Sequence, residues 1–297
     1  MSYPAGSDLR AFTPTRHNDT YNYISHLRSN LAGKTVFVTG ASRGIGKETA
    51  LSFARAGASG IAVAARTSLT SVEVAVQDAA KAAGRPTPKV ISIHLDVTDV
   101  KSVDTAVQRI KEELGGLDIL INNAGAMEAN ALITETDPAD WWKVWEVNVK
   151  GTYLVTRAAI PLLLDTSDGL KTIVNLSSIA AHFIDPGLSG YQTTKLALLR
   201  FTEFIMAEYR EKGIIAYGVH PGAVITELAK ALPEKLLAAV FKDTPNLAAD
   251  TFVWLVKERR EWLAGRYVSV TWDMQELEQL KEDIVKKDLL KVRLILQ

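Results

Sequence analysis

Seven short apolar runs, separated by longer stretches with helical spacing, constrain the fold of this chain more than any other feature. The first, Thr35-Val36-Phe37-Val38-Thr39, is β-branched and stops at Gly40. Others cover residues 60–65, 90–95, 118–121, 172–176, 214–219 and 267–270. Runs that are apolar throughout, rather than alternating, suit strands buried on both faces. Ala50, Phe53, Ala54 and Gly57 recur at helical spacing in one intervening stretch, and Val103, Val107, Ile110 and Leu114 in another. Strand–helix repetition of this kind predicts an α/β fold: one doubly wound parallel sheet of Rossmann type, with helices on both faces. At 297 residues, of which 47% are hydrophobic, the chain can bury that core as a single domain.

Composition excludes several classes of chemistry. There is no cysteine, so disulfides, thiolate catalysis and zinc–thiolate sites are ruled out. The five histidines show no metal-ligand spacing, and no metal site is expected. Lys plus Arg equals Asp plus Glu at 34 each, which gives no support to nucleic acid or an anionic membrane as a partner. Residues 1–30 are polar and lack a continuous apolar stretch, and no later segment reads as a membrane span. The expectation is a soluble, cytoplasmic protein. It has an N-terminal arm at 1–30 lying on the surface, a main domain at 31–273, and a helical tail at 274–297 packed on the domain or on a neighbouring subunit. Phe12, Tyr21 and Tyr23 would anchor the arm.

Thr39-Gly40-Ala41-Ser42-Arg43-Gly44-Ile45-Gly46 follows the first strand and opens a helix. Gly40 permits a tight turn, Gly44 lets the backbone approach a pyrophosphate, and Gly46 lets the helix pack close to the strand. Free N–H groups and the positive end of the helix dipole would hold the phosphates. The spacing is Gly-x-x-x-Gly-x-Gly, not Gly-x-Gly-x-x-Gly. A cofactor with an adenosine ribose also meets the end of the second strand, where an acidic residue would favour NAD. Here that position is Ala65, followed by Arg66, and Arg43 lies in the glycine loop. Both guanidinium groups suit a 2′-phosphate, so NADP(H) is expected.

With these elements in order, residues 33–273 resemble the short-chain dehydrogenase/reductase family. Thr39–Gly46 looks like its cofactor loop, Asp96-Val97 like the adenine-side pair, and Asn122-Asn123-Ala124-Gly125 like the element ending the fourth strand. Asn148, Ser178 and Tyr191-Gln192-Thr193-Thr194-Lys195 resemble its catalytic set. Pro221-Gly222, with Val224 and Thr226, resembles the element that closes over nicotinamide. The arm and tail are similar to ascomycete fungal members, several of which act in secondary metabolism.

The resemblance implies an oxidoreductase that interconverts a carbonyl and an alcohol on a small, mostly apolar substrate. Redox-neutral relatives (epimerases, dehydratases, cyclases) and a non-catalytic cofactor sensor are the alternatives. Tyr191 would donate and accept the proton. Lys195, one helical turn later, projects from the same face, where it would lower the phenol pKa and hold the nicotinamide ribose. Ser178, thirteen residues before Tyr191, would polarise the substrate oxygen, with Ser177 as its competitor. The family implies that Asn148 holds a water connecting Lys195 to solvent. It also implies pairing of helices around 148–164 and 191–212 into a homodimer or homotetramer.

Substrate is expected to meet residues 126–132, 179–188 and a mobile lid at 223–247, whose helix-like pattern is interrupted by Pro233 and Pro245. The cluster Trp141, Trp142 and Trp145 reads as core and helix–helix contact, and His182 as a solvent-exposed loop residue.

Overall fold

The computed structural model describes residues 11–232 and 234–294. Seven strands, β1 (Thr35–Thr39), β2 (Gly60–Ala65), β3 (Lys89–His94), β4 (Ile119–Asn122), β5 (Thr172–Leu176), β6 (Ile215–His220) and β7 (Tyr267–Ser269), form one sheet. Their order is β3-β2-β1-β4-β5-β6-β7, and every pairing is parallel. The chain winds outward from β1 to β3, then returns to lay β4 on the other side of β1. That reversal opens a crevice beyond the carboxyl ends of β1 and β4. Val38 stands level with both Val63 and Ile121, so the segments leaving β1, β2 and β4 emerge together.

Six strands are buried along their whole length. The exception is β3, the sheet edge left uncovered, where Ile91 and Ile93 are buried while Lys89 and His94 are exposed; the other edge, β7, is covered by the tail, Tyr267 N donating to Leu290 O at 2.8 Å. An edge strand contacts water on one side, and polar residues alternate there.

Helix α1 (Gly44–Arg55) packs with α2 (Thr70–Ala82). Further along the chain come α3 (Val100–Leu114), α4 (Pro138–Trp145), α5 (Thr152–Asp165) and α6 (Ser189–Tyr209). Of these, α3 packs with α5, and α6 packs with β5, β6 and α4. Gly57, grouped with α1 by its spacing, falls beyond the helix with φ +86°. Phe37, Phe53, Tyr217, Phe252 and Trp254 are among the largest fully buried side chains. Each contributes about 1.5–3 kcal/mol by leaving water, as an upper estimate.

The region after Pro221 differs from its expected outline. It contains a short turn at Ala229–Ala231 and α7 (Glu234–Val240), but Pro245 opens the core helix α8 (Pro245–Val256), which packs against α1. Thr244 caps α8 through its side chain, and Leu247 is fully buried. A proline at the first helical position starts a helix rather than breaking one. The candidate lid therefore ends at residue 244. Pro233 lies outside the described residues.

From residue 11 on, the arm is more deeply built in than a surface segment; its residues 1–10 lie outside the described residues. Thr13, Ile24 and Ser29 are buried. Residues 12–23 close against the chain's C-terminal part. Phe12 packs on Trp272 at 5.0 Å, Thr15 donates through N and Oγ1 to Glu276, and His17 meets Asp273 at 2.8 Å. Met274 N donates to Tyr21 OH at 2.7 Å, and Tyr23 donates to Glu278. The tail folds into α9 (Met274–Gln279) and α10 (Lys281–Lys286), burying Met274, Leu277 and Ile284 in the domain's own core.

Candidate active site

The crevice at the strand reversal holds a cleft of about 470 Å³. Its floor is the glycine loop. Gly40 has φ +65°, and a Cβ there would stand 2.9 Å from Ala124 Cα. A Cβ on Gly46 would meet Gly40 O at 2.5 Å and collide with Asn123 Nδ2. Glycine is needed because two backbone segments touch. The Asn123 amide ties them, donating to Thr39 O at 2.8 Å and Gly40 O at 3.0 Å. Arg43, the N-cap of α1, supplies no side-chain acceptor, so the first-turn N–H groups of α1 are available to the cleft.

Gly40, Ser42, Arg43, Gly44, Ile45, Gly46, Arg66, Asp96, Val97, Asn123, Ala124, Gly125, Tyr191, Lys195, Pro221 and Thr226 all line this cleft. The Asp96 carboxyl is held below the usual carboxylate range by the Thr98 hydroxyl and N–H, at 2.7 and 2.9 Å, with Arg66 adding to the effect. Gly222 and Val224 are not in the lining. Gly222 has φ +84°, and a Cβ there would strike Asp243 Oδ2 at 2.8 Å; Val224 is buried. They shape the base of the candidate lid instead.

At one end of the cleft, α6 presents Tyr191 and Lys195 from successive turns. Ser178, just after β5, hydrogen-bonds the Tyr191 phenol but is not part of the cleft lining, whereas Ser177 lines the cleft while its hydroxyl is taken up by Lys195 O at 2.8 Å. Neighbouring residues leaving a strand face opposite ways, which separates the two serines. Lys195 Nζ donates to Leu176 O at 2.7 Å.

The electrostatics differ from expectation. Burial pushes the Tyr191 phenol up to about 12, Ser178 opposing and the Glu128 charge adding to the rise. Burial likewise pushes Lys195 down to about 8. Both groups share an enclosed site, and desolvation disfavours the charged form of each. The lysine therefore does not hold the phenol low in this state, and Tyr191 is protonated at neutral pH.

Asn148 sits in a π-helical turn, Glu146–Gly151, between α4 and α5. Its Oδ1 accepts from Ala126 N at 2.8 Å, and its Nδ2 donates to Ala126 O and Thr194 Oγ1. The side chain thus pins the loop after β4 to α6. Its place in a water relay rests on the resemblance alone.

The match to known proteins decides the family: residues 34–237 match the family described as short chain dehydrogenase.

The chain belongs to the short chain dehydrogenase family.

As a short chain dehydrogenase it is an oxidoreductase that uses a nicotinamide cofactor and acts on small molecules. It is 52% identical, over 100% of both chains, to the short chain dehydrogenase mpl6 of Monascus purpureus. It is 47% identical to the short chain dehydrogenase pigC of Monascus ruber, over 95% of this chain and 93% of that one. Among solved structures, a short-chain type dehydrogenase/reductase from Mycobacterium marinum superposes with a TM-score of 0.71 at 29% identity, covering 81% of this chain and 94% of that one. Among the described residues no helix is long and apolar enough to cross a membrane.

This dehydrogenase also carries site features that sequence reasoning missed. Thr67, Leu95 and Val147 line the cleft beside residues that had been singled out, so adjacency was the available signal. Glu227 and Lys230 reach it from the candidate lid, paired at 2.6 Å. Glu128, buried against the first turn of α6, had no signal at all. Two bland expectations also change. His182 is half-buried, edge-on to Tyr267 at 4.7 Å, and burial lowers its pKa. The tryptophans do make the expected helix–helix contact, Trp141 Nε1 donating to Ser189 Oγ at 3.1 Å on α6, but they are not core: they stack on one another at the surface, with Trp142 58% exposed.

Proposed function

We propose that this chain is an NADP(H)-dependent oxidoreductase that interconverts a carbonyl and an alcohol, with Tyr191 as proton donor and acceptor. The observation that carries the reading is one cleft lined by the glycine loop, Arg43, Arg66, Tyr191 and Lys195 together. The uncapped first turn of α1 and the glycine loop line the same cleft, so free N–H groups stand ready for the cofactor's phosphates. NADPH, when bound, supplies the hydride to the carbonyl carbon.

The chain's own residues do the rest. Ser178 holds the carbonyl oxygen and Tyr191, protonated at neutral pH, gives it a proton; the product is the alcohol. Lys195 binds the ribose hydroxyls. Arg43 and Arg66 hold the 2′-phosphate, where Ala65 offers no carboxylate to repel it. Four cationic side chains, Arg43, Arg66, Lys195 and Lys230, line the cleft against Asp96 and Glu227, which favours a phosphate-rich ligand.

The substrate is small and mostly apolar. Exposed Leu132 and Ile184 stand in the two segments flanking the tyrosine, drawn together by the bond from Ala131 N to Gly187 O at 3.1 Å. The protein works in the cytoplasm as a homodimer or homotetramer through α5 and α6, whose Tyr153, Leu196 and Phe204 are exposed apolar groups. Its place in fungal secondary metabolism is favoured by its likeness to the Monascus proteins. The test is oxidation of NADPH and of NADH against a panel of ketones and aldehydes. Turnover with NADPH in preference is expected; no turnover of either cofactor with any carbonyl would contradict the reading.

A further inference from the structure

Helix α6 carries the tyrosine and lysine of the proposed proton transfer, yet its own N-cap, Leu188, supplies no side-chain acceptor. The first turn is satisfied from a distance. Glu128, in the loop between β4 and α4 and only 4% exposed, accepts from Gly190 N at 2.8 Å and from Tyr191 N at 3.0 Å through both carboxylate oxygens. A carboxylate at a helix N-terminus takes up orphan donors and complements the helix dipole. Gly190 is what lets it in: a Cβ there would stand 3.0 Å from Glu128 Oε1 and 3.1 Å from Trp141 Nε1. Asn148 grips the same loop two residues earlier, at Ala126, and reaches Thr194 on α6.

We propose that Glu128 is a positioning residue for Tyr191: it clamps the first turn of α6 to the loop after β4 and fixes a negative charge at the tyrosine's own backbone. The proposal rests on Tyr191 being the proton donor. The groups around Tyr191 are Ser178 from the end of β5, hydrogen-bonded to the phenol, Lys195 from α6, over the ring, and Glu128 from the β4–α4 loop, at the backbone N–H. Of these, Glu128 is the one that opposes ionisation of the phenol by charge. Burial is the larger cause of the phenol's raised pKa, and the Glu128 charge adds to it, in the direction that suits carbonyl reduction.

Glu128→Gln keeps a carbonyl acceptor for the helix turn and removes the charge; Glu128→Ala removes both. The readout is the pH titration of tyrosine Cζ resonances in isotope-labelled protein, with Tyr191→Phe assigning the signal. In Glu128→Gln the Tyr191 resonance is expected to start titrating roughly half to one pH unit earlier than in wild type, with little change in Tm. Glu128→Ala is expected to lower both Tm and kcat while leaving cofactor KM within about twofold. A Tyr191 titration in Glu128→Gln that overlays the wild type would overturn the proposal, as would an Ala variant whose only defect is Tm. The titration needs no turnover. Full activity in Tyr191→Phe would instead sink the proton-donor assignment while leaving the effect of Glu128 on the phenol measured.

Discussion

The Lys195 ammonium lies 5.5 Å from the centre of the Tyr191 ring and spends its 2.7 Å hydrogen bond on the Leu176 carbonyl. Its folded value, about 8, lies below the ordinary 10.5 because burial penalises the charge. Between those values the unfolded chain binds more protons than the folded one, so wild-type stability rises with pH across that window. Lys195→Met removes this titration. The variant should be more stable relative to wild type below about pH 8 than above it. The difference should narrow by about 1.4 kcal/mol per pH unit between about 8 and 10. Thermal unfolding of both proteins along a pH series checks the slope. A difference independent of pH would show that the lysine is not desolvated.

Arg66 follows Ala65 at the end of β2, and Arg43 precedes the first turn of α1, both at the cleft. A single charge-assisted contact to phosphate is worth about 1.5–3 kcal/mol, so Arg66→Ala should weaken NADPH about ten- to a hundredfold. NADH affinity should stay within about twofold. Calorimetric titration of both cofactors checks this; an equal loss for both would contradict the phosphate assignment.

The candidate lid is tied at its base. Asp243 Oδ2 accepts from Ala223 N at 2.6 Å, Asp243 N donates to Ala223 O at 3.1 Å, and Asn18 in the arm donates to Asp243 Oδ1 at 2.5 Å. Residues 223–244 are expected to exchange amide hydrogens faster without ligand than with cofactor and substrate. Asp243→Ala should loosen that segment by about 1–3 kcal/mol, while α8 keeps its protection. Equal exchange in the free and liganded protein would count against a lid.

Gly46 has no room for a methyl group between Gly40 O and Asn123 Nδ2. Gly46→Ala should cost about 1–3 kcal/mol of stability and abolish tight cofactor binding, because the loop must shift. Wild-type Tm and affinity together would show that the loop and the β4 side are not in contact.

The strands were legible because parallel sheets write continuous apolar runs, and all seven begin and end within one residue of those runs. The glycine loop was legible because its backbone contacts demand glycine. The lid's end was misplaced because a proline reads as an interruption until its position in a helix is known. The arm's aromatic anchors Phe12, Tyr21 and Tyr23 were legible as apolar groups in a polar stretch, but Glu128 and the arm's polar partners were not. Glu128 acts on residues 62 and 63 positions away, and the arm's partners Asp243 and Asp273 lie more than 220 positions downstream. The pKa of Tyr191 was misjudged for a related reason: the spacing to Lys195 shows a neighbour, whereas burial, the larger effect, comes from the whole fold.

The most direct test of the central claim is the rate of NADPH consumption with a carbonyl substrate by wild type and Tyr191→Phe, with NADPH affinity measured in parallel. The variant should lose at least about a hundredfold in kcat, as expected for removing a general acid, and bind NADPH within about threefold of wild type. Turnover by Tyr191→Phe within a few fold of wild type would contradict the assignment of Tyr191 as the proton donor.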